Sequence, residues 1–323
     1  MTKFKIVVTS PIRREALELL EKEAYVKVFS RPPTEEELIK AIGDVDAILV
    51  TLNVERITRR VIESASKLKI IARHGVGYDN VDVEAATKRR IWVTITPVLH
   101  ETVADMAFAH LLSLARNVCR STLYIKSRRW KNRSPFLFTG LEVHGKTIGV
   151  IGLGRIGSAI ARRARGFNMR ILYYDIVRKF KIEEEIEAEF KPLENLLKES
   201  DFIVISCPLT EQTRGMIGER ELKLMKPTAI LVNVARGPIV NHNALVEALK
   251  RGWIAGAGLD VFYREPLPLD DSILDLENVT LTPHIASNTE DCRIRMGLTA
   301  AEEILRVLHG KKPKYPVNQI PCR

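Results

Sequence analysis

The stretch GLEVHGKTIGVIGLGRIG, Gly140 to Gly157, satisfies two glycine signatures that demand different folds. Gly140, Gly145, Lys146 and Thr147 fit the phosphate-loop pattern G-x-x-x-x-G-K-[ST], while Gly152, Gly154 and Gly157 fit the dinucleotide pattern G-x-G-x-x-G. A phosphate loop must follow a strand and open a helix, because backbone N–H groups at the helix start grip the phosphate. Here G-K-T runs straight into TIGVIG, which reads as a buried strand, so Lys146 is expected at its solvated start. The second signature has the context it needs. Strand Thr147 to Ile151 precedes it, and Ile156, Ala159, Ile160 and Ala164 share one face of a following helix. Gly152 then permits the tight turn, Gly154 lets the backbone approach a pyrophosphate, and Gly157 allows helix and strand to pack closely.

The unit continues outward from there. RILYYD ends in Asp175, where a carboxylate can bond the ribose hydroxyls of NAD and repel the added phosphate of NADP; nearby Arg178 works against that exclusion. Phe202 to Ser206, Ala229 to Asn233, Ala257 to Val261 and Thr280 to Thr282 also read as strands, bringing this unit to six. Upstream, Phe4 to Thr9, Tyr25 to Phe29, Asp46 to Val50, Lys69 to Ala72 and Ile91 to Thr94 read as strands buried on both faces. Helices alternate with them, one opened by a Thr34–Glu37 capping box. The fold class is therefore α/β, with two doubly wound parallel sheets. From Thr102 one long helix places Val103, Met106, Ala107, His110, Leu111, Leu114 and Ala115 at three- and four-residue steps, before a basic, aromatic stretch from Ser127 to Thr139. A last helical stripe, Ile294 to Leu308, stops at Gly310.

A chain of 323 residues suits two domains, and 46% hydrophobic residues suit globular ones. No run is long and apolar enough for a membrane span, and MTKFKIVVTSPIRRE lacks a signal-peptide core, so a cytoplasmic protein is expected. Cys119, Cys207, Cys292 and Cys322 are scattered without a C-x-x-C pair, which points to reduced thiols and no metal site. The net charge of +10 is spread in basic pairs such as Arg13-Arg14, interleaved with acids and without aromatic stacking partners. That pattern points to small anionic ligands rather than nucleic acid.

The later strands run into NVARG, LDVFYREP and TPHIAS, which supply Arg236, Glu265 and His284. Singly, each has a structural reading: a turn cation, a loop carboxylate before Pro266, a histidine after a strand. Together they lie at the carboxyl edge of the sheet, where open α/β sheets bind ligands. With HGVGYDN (74–80), GLGRIG (152–157), YYD (173–175), CPLT (207–210), NVARGPIV (233–240), GLDVF (258–262) and PHIAS (283–287), the chain resembles the D-isomer-specific 2-hydroxyacid dehydrogenase family.

That resemblance implies an NAD-dependent dehydrogenase interconverting small anionic 2-keto and D-2-hydroxy acids. It implies a Rossmann NAD-binding domain, residues 98–285, inserted into a flavodoxin-like substrate domain, residues 1–97 and 286–323. In it His284 is the acid/base, Glu265 pairs with the imidazole, and Arg236 holds the substrate carboxylate and polarises the carbonyl with its planar fork. Thr51, Arg73, His74, Gly75, Val76 and Gly77 are the implied substrate-side residues. Among them the Val76 and Gly77 N–H groups give a second carboxylate grip, Arg73 stands at a phosphate-facing position, and His74 narrows the pocket. NAD is expected at Gly152, Gly154, Arg155, Ile156 and Gly157 with its pyrophosphate and at Asp175 with its ribose. Cys207, Pro208 and Thr213 surround the adenosine half, and Thr102, Val234, Ala235, Arg236 and Asp260 the nicotinamide half. The helix from Thr102, extended through residue 140, forms most of an implied homodimer interface. Phosphoglycerate dehydrogenases place an arginine near the end of the third strand, where this chain has Thr51 or Asn53. Glyoxylate or hydroxypyruvate is therefore expected ahead of a phosphorylated substrate. The alternatives are a D-3-phosphoglycerate dehydrogenase and, in another class, an NAD-sensing corepressor-like scaffold.

Overall fold

The structure, a computed structural model, describes residues 3–52 and 54–320, so Asn53 and Cys322 lie outside the described residues. The chain divides into two compact units, Met1–Leu99 with Asn288–Arg323, and His100–Ser287.

The first unit is a five-stranded parallel sheet of β1 (Phe4–Val8), β2 (Ala24–Val28), β3 (Ala47–Val50), β4 (Ile70–Arg73) and β5 (Trp92–Thr94), in the order β2-β1-β3-β4-β5. Between the strands run α1 (Arg14–Glu21), α2 (Glu35–Ala41), α3 (Arg59–Ser64) and α4 (Val83–Lys88). Alternate strand residues face opposite layers. Val7, Ile48 and Val50 pack with Leu38, Ile42, Val61 and Ile62; Ile6, Val8 and Leu49 pack with Leu20, Ala300, Ala301 and Ile304. Each such Val, Leu or Ile side chain contributes about 1.5–3 kcal/mol by leaving water. The Thr34–Glu37 capping box opens α2 as expected. β2 departs from the expectation of two buried faces: it is an edge strand in which only Ala24 is buried.

The second unit opens with α5 (His100–Ala115), two residues earlier than expected, and α6 (Val118–Lys126). Its sheet contains β6 (Thr147–Ile151), β7 (Arg170–Tyr174), β8 (Ala188–Phe190), β9 (Phe202–Ile205), β10 (Ile230–Asn233), β11 (Gly256–Leu259) and β12 (Val279–Leu281). All pair in parallel, in the order β12-β11-β10-β9-β6-β7-β8. This is the dinucleotide-binding order with one strand added beyond its sixth. Seven strands replace the expected six, because β8 is a three-residue edge strand paired only with β7. α7 (Arg155–Arg165), α8 (Phe180–Ile186), α9 (Leu193–Glu199), α10 (Glu219–Leu224) and α11 (His242–Arg251) connect the strands. α12 (Glu290–Leu308) returns the chain to the first unit, where the Val317 N–H donates to the Val93 carbonyl at 2.8 Å.

The two glycine signatures now separate. Thr147 is the first residue of β6 and Lys146 before it is exposed, so G-K-T has no helix behind it and is not a phosphate loop. Strand order reverses between β6 and β9, which puts Gly152 beside Cys207 at the switch point where such sheets bind ligands.

Candidate active site

At that switch point the glycines do what their geometry requires. Gly152 has φ +93°, and a Cβ there would lie 2.7 Å from the Cys207 nitrogen. A Cβ on Gly157 would lie 2.0 Å from the Gly152 carbonyl oxygen, which forces glycine where α7 crosses the turn. At Gly154, the N-cap of α7, a Cβ would meet nothing within 4 Å. The space before the helix start is open, and the first-turn N–H groups of Arg155 and Ile156 offer a site for a pyrophosphate.

Asp175 follows β7, and its Oδ2 accepts from the Leu153 N–H at 2.9 Å, which fixes the carboxylate beside the glycine turn. Arg178 is turned elsewhere: Nε and Nη2 donate to the two oxygens of Glu183 at 2.8 and 3.0 Å, and the guanidinium lies 4.6 Å from the Phe180 ring centroid. The turn after β9 ties itself together, since the Thr213 hydroxyl donates to the Pro208 carbonyl at 2.8 Å and accepts from the Thr210 N–H at 2.7 Å. Burial pushes the Cys207 thiol up to about 11, so it stays protonated and unreactive. Thr102 is buried in α5, and Val234 and Ala235 are buried after β10. Glycine turn, open helix start and ribose-level carboxylate together fit a nicotinamide dinucleotide.

Three loops after β10, β11 and β12 carry Arg236, Glu265 and His284. Asn233 clamps the first, accepting from the Ala235 N–H at 3.0 Å and donating to the Arg236 carbonyl at 2.9 Å. A Cβ on Gly237 would fall 1.9 Å from the Phe262 carbonyl carbon, so glycine alone lets the Arg236 turn pass the Glu265 loop. Glu265 Oε1 accepts from the Phe262 N–H at 3.0 Å, and Oε2 lies 2.7 Å from His284 Nδ1. Burial opposes ionisation of Glu265. The His284 hydrogen bond and charge, the Phe262 N–H and the Arg236 charge outweigh it and hold the carboxyl below the usual glutamate range. A carboxylate only accepts, so Nδ1 carries the proton and Nε2 is left for the substrate.

His284 itself has φ +55°, uncommon outside glycine, and its N–H lies 2.9 Å from the carbonyls of both Asp260 and Thr282. Asp260, at 0% exposure, turns its carboxylate inward: Oδ1 takes the Thr282 hydroxyl and the Ile285 N–H at 2.6 and 2.8 Å, and Oδ2 the Ala286 N–H at 2.9 Å. These bonds organise the histidine turn, a role the expected place beside the cofactor did not include. His110 and Thr282 join the same network, and no local pattern marks either as a site residue.

In the first unit, Arg73 ends β4 at 2% exposure. It donates to the carbonyls of Gly77, Val50 and Leu52 at 2.9, 3.1 and 2.6 Å. These bonds draw the guanidinium into the loop backbone. Thr51 is buried in a hydroxyl network with Thr9, Ser10 and Glu55. His74 is also inward, with Nε2 3.3 Å from the Arg293 carbonyl. Gly75, with φ +152°, turns the chain, and its carbonyl accepts from the Thr96 N–H at 2.9 Å. Gly75, Val76 and Gly77 are partly exposed, so the loop opens to solvent directly after the buried His74.

A dinucleotide cradle in the same sheet as a histidine–carboxylate pair equips the chain as a nicotinamide-dependent oxidoreductase. Comparison with known proteins narrows this. Residues 108–286 match the NAD binding domain of the D-isomer specific 2-hydroxyacid dehydrogenases, and the chain belongs to that family, whose members act on the CH–OH group of 2-hydroxy acids. A glyoxylate reductase of Pyrococcus horikoshii is 51% identical, over 98% of this chain and 96% of its own. One of Korarchaeum cryptofilum is 48% identical over 98% and 96%. Among solved structures, the TT0316 protein of Thermus thermophilus superposes with a TM-score of 0.91 at 41% identity, covering 98% of this chain and 100% of its own. An NADPH-dependent glyoxylate/hydroxypyruvate reductase of Sinorhizobium meliloti, solved with NADP and malonate, gives 0.89 at 33% identity over 100% and 99%.

Proposed function

We propose that the protein reduces glyoxylate and hydroxypyruvate to the corresponding 2-hydroxy acids with NADH, the second unit holding the cofactor and the first the substrate. The 2.7 Å Glu265–His284 pair carries this reading. Bound NADH supplies the hydride for the keto carbon. His284 Nε2 gives its proton to the keto oxygen, the Glu265 carboxylate stabilises the imidazolium that precedes this transfer, and Arg236 binds the substrate carboxylate and polarises the carbonyl. In the first unit, the Val76 and Gly77 N–H groups offer a grip for a carboxylate. Arg73 and His74 act indirectly, Arg73 through its bond to the Gly77 carbonyl and His74 by anchoring the start of the loop, while Thr51 is held in its own network with Thr9, Ser10 and Glu55.

NAD over NADP is supported by Asp175 at the end of β7 and by the engagement of Arg178 with Glu183, which leaves no offset to the carboxylate from that side chain. The inward course of Arg73 speaks against phosphoglycerate. We further propose a homodimer through α6 and the segment after it, where Leu123 is 65% and Phe136 84% exposed. No helix among the described residues is long and apolar enough to cross a membrane, and the scattered thiols suit a reducing cytoplasm. Purified protein with NADH and a panel of glyoxylate, hydroxypyruvate and phosphohydroxypyruvate tests the proposal through loss of nicotinamide absorbance. Turnover of the first two is expected; turnover of none, or of the phosphorylated acid alone, refutes it.

A further inference from the structure

α5 brings a histidine under β11 so closely that a Cβ on Gly258 would lie 2.6 Å from the His110 Cβ. The His110 side chain is 3% exposed, yet both ring nitrogens have partners: Nδ1 is 2.7 Å from Thr280 Oγ1 and Nε2 2.9 Å from Thr282 Oγ1. For a ring carrying one proton, only one arrangement satisfies the group. The Asp260 carboxylate accepts from Ile285 and Ala286, and the Thr282 hydroxyl spends its single proton on Asp260 Oδ1 at 2.6 Å. The Thr282 oxygen must then accept, so His110 Nε2 carries the hydrogen and bare Nδ1 accepts from Thr280. Burial lowers the His110 pKa, which agrees with one ring proton rather than two.

We propose that His110, Thr282 and Asp260 form a directional hydrogen-bond relay that positions His284 for proton transfer. Its last link holds the N–H groups of the two residues after His284, while the Asp260 and Thr282 carbonyls face the His284 N–H itself. The left-handed backbone of His284 is thereby fixed from below by α5. His110 is a positioning residue, and its role rests on the reading of His284 as the acid/base. Without the Thr282 proton, Oδ1 loses one of its two donors and the turn is free to shift. Small displacements of a proton donor are expensive in rate, about 10²-fold per ångström.

Thr282→Val keeps the shape and removes the hydroxyl. We expect kcat for glyoxylate to fall ~10–100-fold with the NADH Kd and the unfolding midpoint unchanged, and Thr282→Ser to recover most of it. His110→Leu should lose activity as Thr282→Val does, His110→Gln should lose less because its amide can donate in place of Nε2–H, and the Leu/Val double variant should be no worse than either single one. Full kcat in folded Thr282→Val, or a parallel loss of kcat and NADH binding, overturns the relay. Nitrogen-15 spectra of histidine-labelled wild type test it without turnover: His110 should show a protonated Nε2 and a bare Nδ1, and the opposite tautomer overturns it even if no valine variant folds. Wild type that reduces no keto acid but shows this tautomer refutes the dehydrogenase reading while leaving the hydrogen-bond chain in place.

Discussion

Replacing His74 with glutamine removes a buried base while keeping an N–H donor toward the Arg293 carbonyl, 3.3 Å away in the wild type. Burial, with the charges of Arg293 and Arg73 adding to it, holds the His74 imidazole down to about 4 from an ordinary 6.5. At 9% exposure little solvent screening offsets this. Between those pH values the unfolded chain binds a proton that the folded chain refuses, so stability rises with pH. The neutral side chain's contribution is complete above the unfolded value and is lost as pH falls toward the folded one. The full interval corresponds to about 3 kcal/mol, and a comparison of about pH 7.5 with about pH 4.5 recovers about 2–3 kcal/mol of it. Urea unfolding of wild type and His74→Gln at both pH values measures the effect as a difference of differences, which cancels the titration of every shared carboxylate. Wild type should lose about 2–3 kcal/mol more than the variant on acidification. Equal losses would mean that His74 is not kept neutral in the fold, and the inward placement of its side chain would be wrong with it.

Three further substitutions address the site. His284→Gln should lower kcat by ~10²–10⁴ with the NADH Kd, followed by nicotinamide fluorescence, unchanged; equal damage to both would remove the acid/base role. Asp175→Ala should raise the NADH Kd ~10–100-fold and compress the preference over NADPH, since a charge-assisted bond to the ribose is lost along with the brace on Leu153; an unchanged preference refutes the ribose assignment. Leu123→Glu with Ile125→Glu, both exposed on α6, should yield monomers in sedimentation equilibrium, and an unaltered mass would place the interface elsewhere.

What could be read from the residues, and what could not, follows from how local each constraint is. GLGRIG was legible because its demands sit within a few residues: a positive φ at Gly152, an open approach at Gly154, and a helix pressed on the turn at Gly157. β8 was not, because AEF follows the acidic helix KIEEEI and has neither length nor an apolar run to mark it; it exists by pairing with β7. Arg73 and Thr51 carry the right chemistry at the right strand ends, but the direction of each side chain is set by distant partners. Val50 and Leu52 carbonyls draw the guanidinium inward, and Thr9 and Glu55 enclose the hydroxyl. His110 is the extreme case. On the helical stripe it is indistinguishable from its apolar neighbours, and only the return of the chain at Thr280 and Thr282, with partners 170 and 172 residues away, gives its two nitrogens a function. The residues that contact cofactor or substrate are constrained by local backbone geometry and leave signatures. Those that position them are constrained by tertiary contacts, where the same residue in the same periodicity serves equally well as core. The signal that separates the two is a polar group on a buried stripe, because burial obliges it to find partners, and here the partners lead to the histidine turn.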